Sequence, residues 1–213
     1  MTKGLYESLV EQIIDGDDEA VDQTTDNLLA EGQSPMAIIN DGLLRGMTEV
    51  GELFKEGEMF VPEVMMAAQT VTCSLDKLKV LIKEEDRPQM AKVVIGTVQG
   101  DLHDIGKNLV VMMMENSGFE VIDLGTDVSP EAFYQAARQH DADIIGMSSL
   151  LTTTMPAMRE TVDAVKAAGL REKVKIIIGG APVTAEYASQ IGADGYSEDA
   201  VRAVELCKNL LNI

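Results

Sequence analysis

The residues best suited to chemistry in this chain are an aspartate and a histidine two positions apart. They are Asp101 and His103, within Gly100-Asp101-Leu102-His103-Asp104-Ile105-Gly106-Lys107. At that spacing a carboxylate can hold one imidazole nitrogen and leave the other facing outward as a metal ligand. One histidine with no cysteine beside it offers a single strong ligand, where zinc takes three or four. A metal held here must bring its own equatorial ligands, as the metal of a macrocycle does. On the tripeptide alone, a surface pair or a helix cap explains the same residues. Their setting has to decide.

The β-branched run Val93-Val94-Ile95 precedes the pair, and a helical apolar pattern begins at Ile105. The pair therefore sits on a loop at the carboxyl end of a strand, where open α/β sheets bind ligands. From Lys92 onward strand and helix alternate. Strands are expected at 92–98, 120–125, 143–148, 175–179 and 193–196, and helices at 105–117, 130–139, 156–168, 184–191 and 198–211. Such βα units imply a Rossmann-like (flavodoxin-like) five-stranded parallel sheet with helices on both faces. If the strand order is 2-1-3-4-5, a crevice opens between strands 1 and 3. The loop after strand 3, Ser148-Ser149-Leu150-Leu151-Thr152-Thr153-Thr154, carries five hydroxyls in seven residues and would face Asp101 and His103 across it. After strand 4, Gly179-Gly180 would let a flat or bulky group approach the backbone, or would serve a turn that needs positive φ.

Residues 1–88 read as helices throughout. Leu5, Leu9, Ile13 and Ile14 recur at three-to-four spacing before Gly16-Asp17-Asp18 interrupts them. Asp17 caps a second helix with Ala20, Val21, Leu28 and Leu29, and Gly32 ends it. Ser34-Pro35 opens a third, carrying Ile38, Ile39, Leu43, Leu44, Met47, Val50 and Phe54. Val61-Pro62-Glu63 opens a fourth. Short turns between four helices suggest an antiparallel bundle. The charged segment 83–88 reads as a linker and 83–89 as a hinge, which divides the chain into a helical domain at 1–88 and an α/β domain at 89–213.

Composition narrows the function classes. Thirty-six acidic residues against 17 basic ones give a formal charge of −19, with the larger excess in the helical half. That balance excludes nucleic acid and anionic membrane as partners, because both require basic patches. No apolar run reaches membrane-spanning length and the first residues lack a signal-peptide core, so a cytoplasmic location is expected. Cys73 and Cys207 fall in helical patterns without metal spacing and read as reduced core thiols.

Together these residues resemble the cobalamin-binding fold of cobalamin-dependent methionine synthase and of the small corrinoid proteins of methylamine and methanol methyltransferase systems. The pattern D-x-H-x-x-G, then S-x-L, then G-G appears as Asp101-Leu102-His103-Asp104-Ile105-Gly106, Ser148-Ser149-Leu150 and Gly179-Gly180, in that order. The helical half resembles the family's cap, particularly at Val50-Gly51-Glu52-Leu53-Phe54 and Met59-Phe60-Val61-Pro62-Glu63. The resemblance implies a cobalamin bound with its own base displaced and His103 as lower axial ligand to cobalt. Asp101 would hold the second imidazole nitrogen, and Thr154 would pass that hydrogen bond onward. The displaced nucleotide tail would pass Ser148 and Thr152 near Gly179-Gly180. Gly100, Leu102, Asp104, Ile105, Leu150 and Ala200 would complete the cofactor contacts, with Gly106 leaving backbone room and Met47 and Phe60 shielding the upper face.

The implied activity is that of a methyl carrier without a complete active site of its own. It would work between a substrate:corrinoid methyltransferase, acting on a methylamine or quaternary amine, and a methylcorrinoid:acceptor methyltransferase serving a thiol or folate-type acceptor. A reductive activation protein is a further partner. The alternatives are a cobalamin-binding sensor or regulator, the small subunit of an adenosylcobalamin mutase, and a flavodoxin-like module with FMN or a phosphorylated Asp. The first lacks a basic DNA-binding segment here, the second would not need the helical half, and the third leaves the His103 loop unexplained. Among the remaining residues, His140 reads as a surface cation at a helix end. The run Met112-Met113-Met114 reads as core packing. Lys107 reads as solvent-facing, or else as a phosphate contact. Asp104 could join Asp101 at a divalent cation, although such ions need more oxygen ligands.

Overall fold

The computed structural model describes residue 4, residues 6–82 and residues 90–213. They group into two compact units. One comprises the helices before residue 83 together with Glu115–Gly118, and the other comprises Met90–Met114 and Phe119–Ile213. Leu5 and the 83–89 linker lie outside the described residues.

In the helical unit, α1 (Glu7–Asp15) closes on left-handed Gly16, and the Asp17 carboxylate accepts from the Ala20 N–H to start α2 (Asp18–Ala30). The Ser34 hydroxyl caps α3 (Pro35–Ala37) in the same way, with Pro35 at the first helical position. A π-helical segment, Ile38–Leu43, then leads without a break into α4 (Leu44–Glu56). The periodicity does not reveal that extra residue. Its physical setting is a close approach of α1: a Cβ on Gly42 would stand 2.6 Å from Leu9, and one on Gly46 would stand 2.6 Å from Ile13. Gly57 ends α4, and α5 (Val61–Lys79) begins with the Glu63 carboxylate accepting from the Phe60 N–H at 2.7 Å. Leu9, Ile13, Ile38, Leu43, Val50, Val71 and Leu78 close the core of this unit.

The α/β unit forms a five-stranded, all-parallel sheet in the order β2-β1-β3-β4-β5. The strands are β1 (Lys92–Thr97), β2 (Glu120–Asp123), β3 (Ile144–Ser148), β4 (Lys175–Gly179) and β5 (Gly195–Ser197). The helices between and after them are α6 (Ile105–Glu115), α7 (Pro130–His140), α8 (Met155–Ala167), α9 (Ala185–Ile191) and α10 (Ala200–Leu211). Runs such as Val93-Val94-Ile95 and Ile176-Ile177-Ile178 are buried along their whole length, as strands covered by helices on both faces must be. The element bounds of this unit differ from those expected by at most two residues. The sheet reverses direction of growth at β1 and β3, so the crevice expected at a switch point has its place there.

Two side chains depart from the sequence reading. Cys73 is exposed on α5 and is not a core thiol, whereas Cys207 is buried in α10 and its thiol pKa is pushed up to about 12 by that burial. Both are unbridged. Lys107 does not face solvent, although it stands among the residues that line the crevice. Its side chain is 1% exposed, and its ammonium bonds Asp123 at 2.5 Å and Asn108 at 2.7 Å.

Candidate functional site

Register places one row of residues across the carboxyl ends of four strands: Thr97, Ser148, Gly179 and Ser197. The row beneath it, on the same face of the sheet, is Ile95, Gly146, Ile177 and Gly195. Two loops meet above these rows. The loop after β1 carries Asp101 and His103, and the loop after β3 carries Ser149 to Thr154. The Val98 N–H donates to the Ser148 carbonyl at 3.0 Å and the Thr97 hydroxyl to the His103 carbonyl at 2.9 Å, which fixes the first loop to the sheet.

Asp101 is the centre of the arrangement and is fully buried. Its Oδ1 lies 2.7 Å from His103 Nδ1 and accepts from the His103 backbone N–H at 3.1 Å. Its Oδ2 accepts from the Leu150 N–H at 2.8 Å and from the Thr154 hydroxyl at 3.0 Å. Burial by itself pushes this carboxyl up. The hydrogen bonds from His103, Leu150 and Thr154 outweigh burial and hold it well below the usual carboxylate range. Beside an ionised Asp101 the proton of the Nδ1 contact lies on Nδ1, and in the neutral ring Nε2 then carries the free lone pair. The His103 side chain is 52% exposed, so that lone pair stands at the surface of the unit, beside the crevice.

The sequence pattern counts Ser149 among the loop's five hydroxyls but gives it no role of its own. It is fully buried, bridging Thr154 at 2.8 Å and the Leu151 carbonyl at 3.1 Å, and it stiffens the group that holds Asp101. Asp127 is a second such residue. Its carboxylate accepts from the Gly100 N–H at 2.7 Å and its own N–H donates to the Asp101 carbonyl at 3.0 Å, which ties the loop after β2 to the first. Ser149 fills the unspecified middle position of the S-x-L motif and Asp127 belongs to no motif, so only the three-dimensional meeting of the loops reveals what each one holds.

A crevice of about 600 Å³ runs from His103 along the sheet, between α6 and α10. It brings together Leu102, His103, Asp104, Ile105, Gly106, Ser148, Leu150, Gly179 and Gly180. Gly100, Asp101 and Thr154 stand behind His103, outside the lining. Thr152 is exposed on its loop and does not line the crevice. Ala200 is buried at the start of α10, and Ala203, one turn later, takes the lining position. In the helical unit Met47 is closed into the core at 2% exposure, whereas Phe60 is 67% exposed. Among the described residues no three His, Cys, Asp or Glu side chains converge as a metal site, and Asp104 bonds Asn108 instead. No helix of the described residues is long and apolar enough to cross a membrane.

Two positions explain their glycines differently. At Gly180, φ is +124° and a Cβ would stand 1.9 Å from the Ser149 carbonyl oxygen, so the backbone itself forbids any other residue. At Gly106 a Cβ would meet no atom within 4 Å. Nothing in the protein demands glycine there, and the space it leaves lies on the crevice.

A doubly wound sheet that offers one histidine nitrogen at its switch point, with a buried carboxylate behind the ring, defines a ligand-binding α/β domain. The ligand it suits supplies the rest of its own coordination. The chain belongs to the B12 binding domain family: residues 91–205 match one model of that description and residues 5–79 match another. It is 48% identical over 184 residues to dimethylamine corrinoid protein 1 of Methanosarcina acetivorans, covering 85% of this chain and 86% of that one. A crystal structure of a cobalamin-binding protein from Desulfitobacterium hafniense is 38% identical with a TM-score of 0.80, over 94% of this chain and 96% of that one. A chain of the methanol:cobalamin methyltransferase complex from Methanosarcina barkeri superposes with a TM-score of 0.87 at 30% identity, over 98% and 80%.

Proposed function

We propose that this chain is a corrinoid protein that carries a methyl group between two methyltransferases, with His103 as the protein ligand to cobalt. One observation carries the reading: a fully buried, ionised Asp101 fixes one nitrogen of His103 and leaves the other exposed beside the crevice. The residues fit a corrinoid. Its cobalt brings four equatorial nitrogens and lacks only an axial donor, which matches the single ligand available here. The open space at Gly106 admits the edge of a macrocycle, and a crevice of about 600 Å³ is large enough for a nucleotide tail. Bound there, the corrinoid would supply a cobalt that accepts and donates a methyl group.

The protein's own part is orientation and electronics. Asp101 sets the tautomer and angle of the ring, and Thr154, Ser149 and the Leu150 N–H keep Asp101 ionised and immobile. Ser148, Gly179 and Gly180 belong to the tail's path. Phe60, Met65 and Met66 are the exposed apolar side chains with which the helical unit would act as cap, and Met47 is excluded by its burial. The names of the relatives favour a methylamine donor, with a substrate:corrinoid methyltransferase as first partner. The second partner would be a methyltransferase to a thiol or folate-type acceptor, and a reductive activation protein would restore the cobalt after oxidation. The chain's place in the cell is expected to be the cytoplasm.

Paramagnetic resonance of the Co(II) form tests the ligand directly. Labelling the protein's histidines with nitrogen-15 should change the nitrogen hyperfine pattern, and His103→Ala should abolish that change while some cofactor binding persists. A pattern indifferent to the label would remove His103 from the cobalt.

A further inference from the structure

Resting on the reading of His103 as the cobalt ligand, we propose that Asp127 is a positioning residue for that ligand. It holds the peptide between Gln99 and Gly100 in the orientation that aims Asp101 at the imidazole. Val98-Gln99-Gly100-Asp101 is a turn closed by the Asp101 N–H on the Val98 carbonyl at 3.1 Å. Gly100 stands third in it with φ +83°, as the third residue of a type II turn does. Flipping the central peptide gives a type I turn, in which that residue has negative φ. Glycine reaches both conformations about equally well, so the turn does not choose between them by itself. Asp101 is the next residue, and the aim of its carboxylate depends on the choice.

Asp127 makes that choice. Its Oδ1 accepts from the Gly100 N–H at 2.7 Å, which is the N–H of the central peptide. A flipped peptide would turn the Gln99 carbonyl toward the carboxylate instead, and the two oxygens would repel. The Asp127 N–H also donates to the Asp101 carbonyl at 3.0 Å, so the residue grips Gly100-Asp101 at both ends. To do both it adopts φ +55°, which is uncommon for a residue other than glycine and tolerated best by Asn and Asp. Its loop is itself fastened to β1. The Thr97 N–H donates to the Gly125 carbonyl at 2.9 Å, and the Val128 N–H donates to the Thr97 carbonyl at 3.0 Å. Asp127 is exposed and does not line the crevice, so substitutions there leave the crevice wall intact.

The test reads the tautomer of His103 in the full chain without corrinoid, by nitrogen-15 magnetic resonance of labelled histidines. The chain has two histidines, and His140 is the internal reference. At about pH 8.5, above the ordinary histidine pKa of about 6.5, the ring is neutral and its nitrogen shifts report which atom holds the proton. Asp127→Ala and Asp127→Gly should each lower the ratio of Nδ1-protonated to Nε2-protonated His103 by about fivefold, the effect of one lost hydrogen bond. The glycine variant adopts positive φ freely, so a loss common to both belongs to the missing acceptor. Asp127→Asn should keep the parental ratio, because its amide oxygen accepts from the Gly100 N–H and asparagine tolerates positive φ. His140 should not move in any variant. An unchanged ratio in the alanine and glycine variants would overturn the positioning role and leave the corrinoid reading intact. A ratio in Asp127→Asn as low as in Asp127→Ala would also overturn it, by making charge the cause. After loading with cobalamin, the Co(II) forms of the alanine and glycine variants should show His103 nitrogen hyperfine coupling in only part of the population. A parent chain without that coupling would overturn the ligand reading itself, whatever the tautomers show.

Discussion

The Gly180 and Ser149 backbones touch in a way that reaches the histidine through only three contacts. Ser149 bonds Thr154, Thr154 bonds Asp101, and Asp101 bonds His103. Gly180→Ala forces both a strained positive φ and a clash with the Ser149 carbonyl. Chemical denaturation should show a loss of about 3 kcal/mol or more, within the range for strained backbone with overpacking. A loss under 1 kcal/mol would mean that the loop shifts freely and that Ser149 does not stiffen the group. Asp101 gives a prediction in pH. Its carboxyl ionises in the fold well below its unfolded value of about 3.9, so ionisation stabilises the fold above roughly pH 4. That contribution is lost as pH falls through the lower, folded value. Stability should therefore decline more steeply below roughly pH 4 in the parent chain than in Asp101→Asn, which has no proton to take up. Parallel acid limbs would show that the carboxyl titrates normally.

At the scale of elements, the Lys107 ammonium and the Asp123 carboxylate join the first turn of α6 to the end of β2. A cation in the first turn of a helix is opposed by the helix dipole, so the carboxylate is what makes Lys107 tolerable there. The two partners differ in exposure: the lysine side chain is 1% exposed and the aspartate 34%. Removing the aspartate strands a buried charge, whereas removing the lysine leaves a carboxylate that water can reach. Asp123→Asn should therefore be the more damaging change, by about 3 kcal/mol, with Lys107→Met within about 1 kcal/mol of the parent in a denaturant titration. The reverse order would place the desolvation penalty on the wrong partner. This pair also shows where reading the sequence stops. Lys107 opens an amphipathic helix next to a glycine, and nothing local distinguishes a solvated lysine there from one that finds a carboxylate 16 positions later. Cys73 was misjudged for a related reason: α5 carries apolar residues on more than one face, so the periodicity does not say which of them close inward. The π-helical segment 38–43 stayed hidden because a single inserted residue leaves the apolar spacing within the tolerance of an α-helix.

For the whole molecule, the architecture was legible because two kinds of periodicity follow one another along the chain. Apolar residues recur at three-to-four spacing before residue 83. Short buried β-branched runs alternate with helices after residue 91. The strand order had to be assumed, yet parallel strands with right-handed crossovers leave few arrangements, and Asp101 and Thr154 could meet only if β1 and β3 are neighbours. The alanine of α10 that lines the crevice was misplaced by one turn, Ala200 for Ala203, because helix phase relative to a distant strand is not encoded locally. The division into two units has a thermodynamic consequence. A ligand stabilises whatever it binds by RT ln(1 + [L]/Kd), about 2.7 kcal/mol at one hundred times Kd. If the helical unit acts as a cap, it shares in that binding. Scanning calorimetry of the full chain with excess corrinoid should then raise every resolved transition relative to the free protein. A rise confined to one transition, with another unmoved, would assign cofactor binding to a single unit and remove the capping role from Phe60, Met65 and Met66.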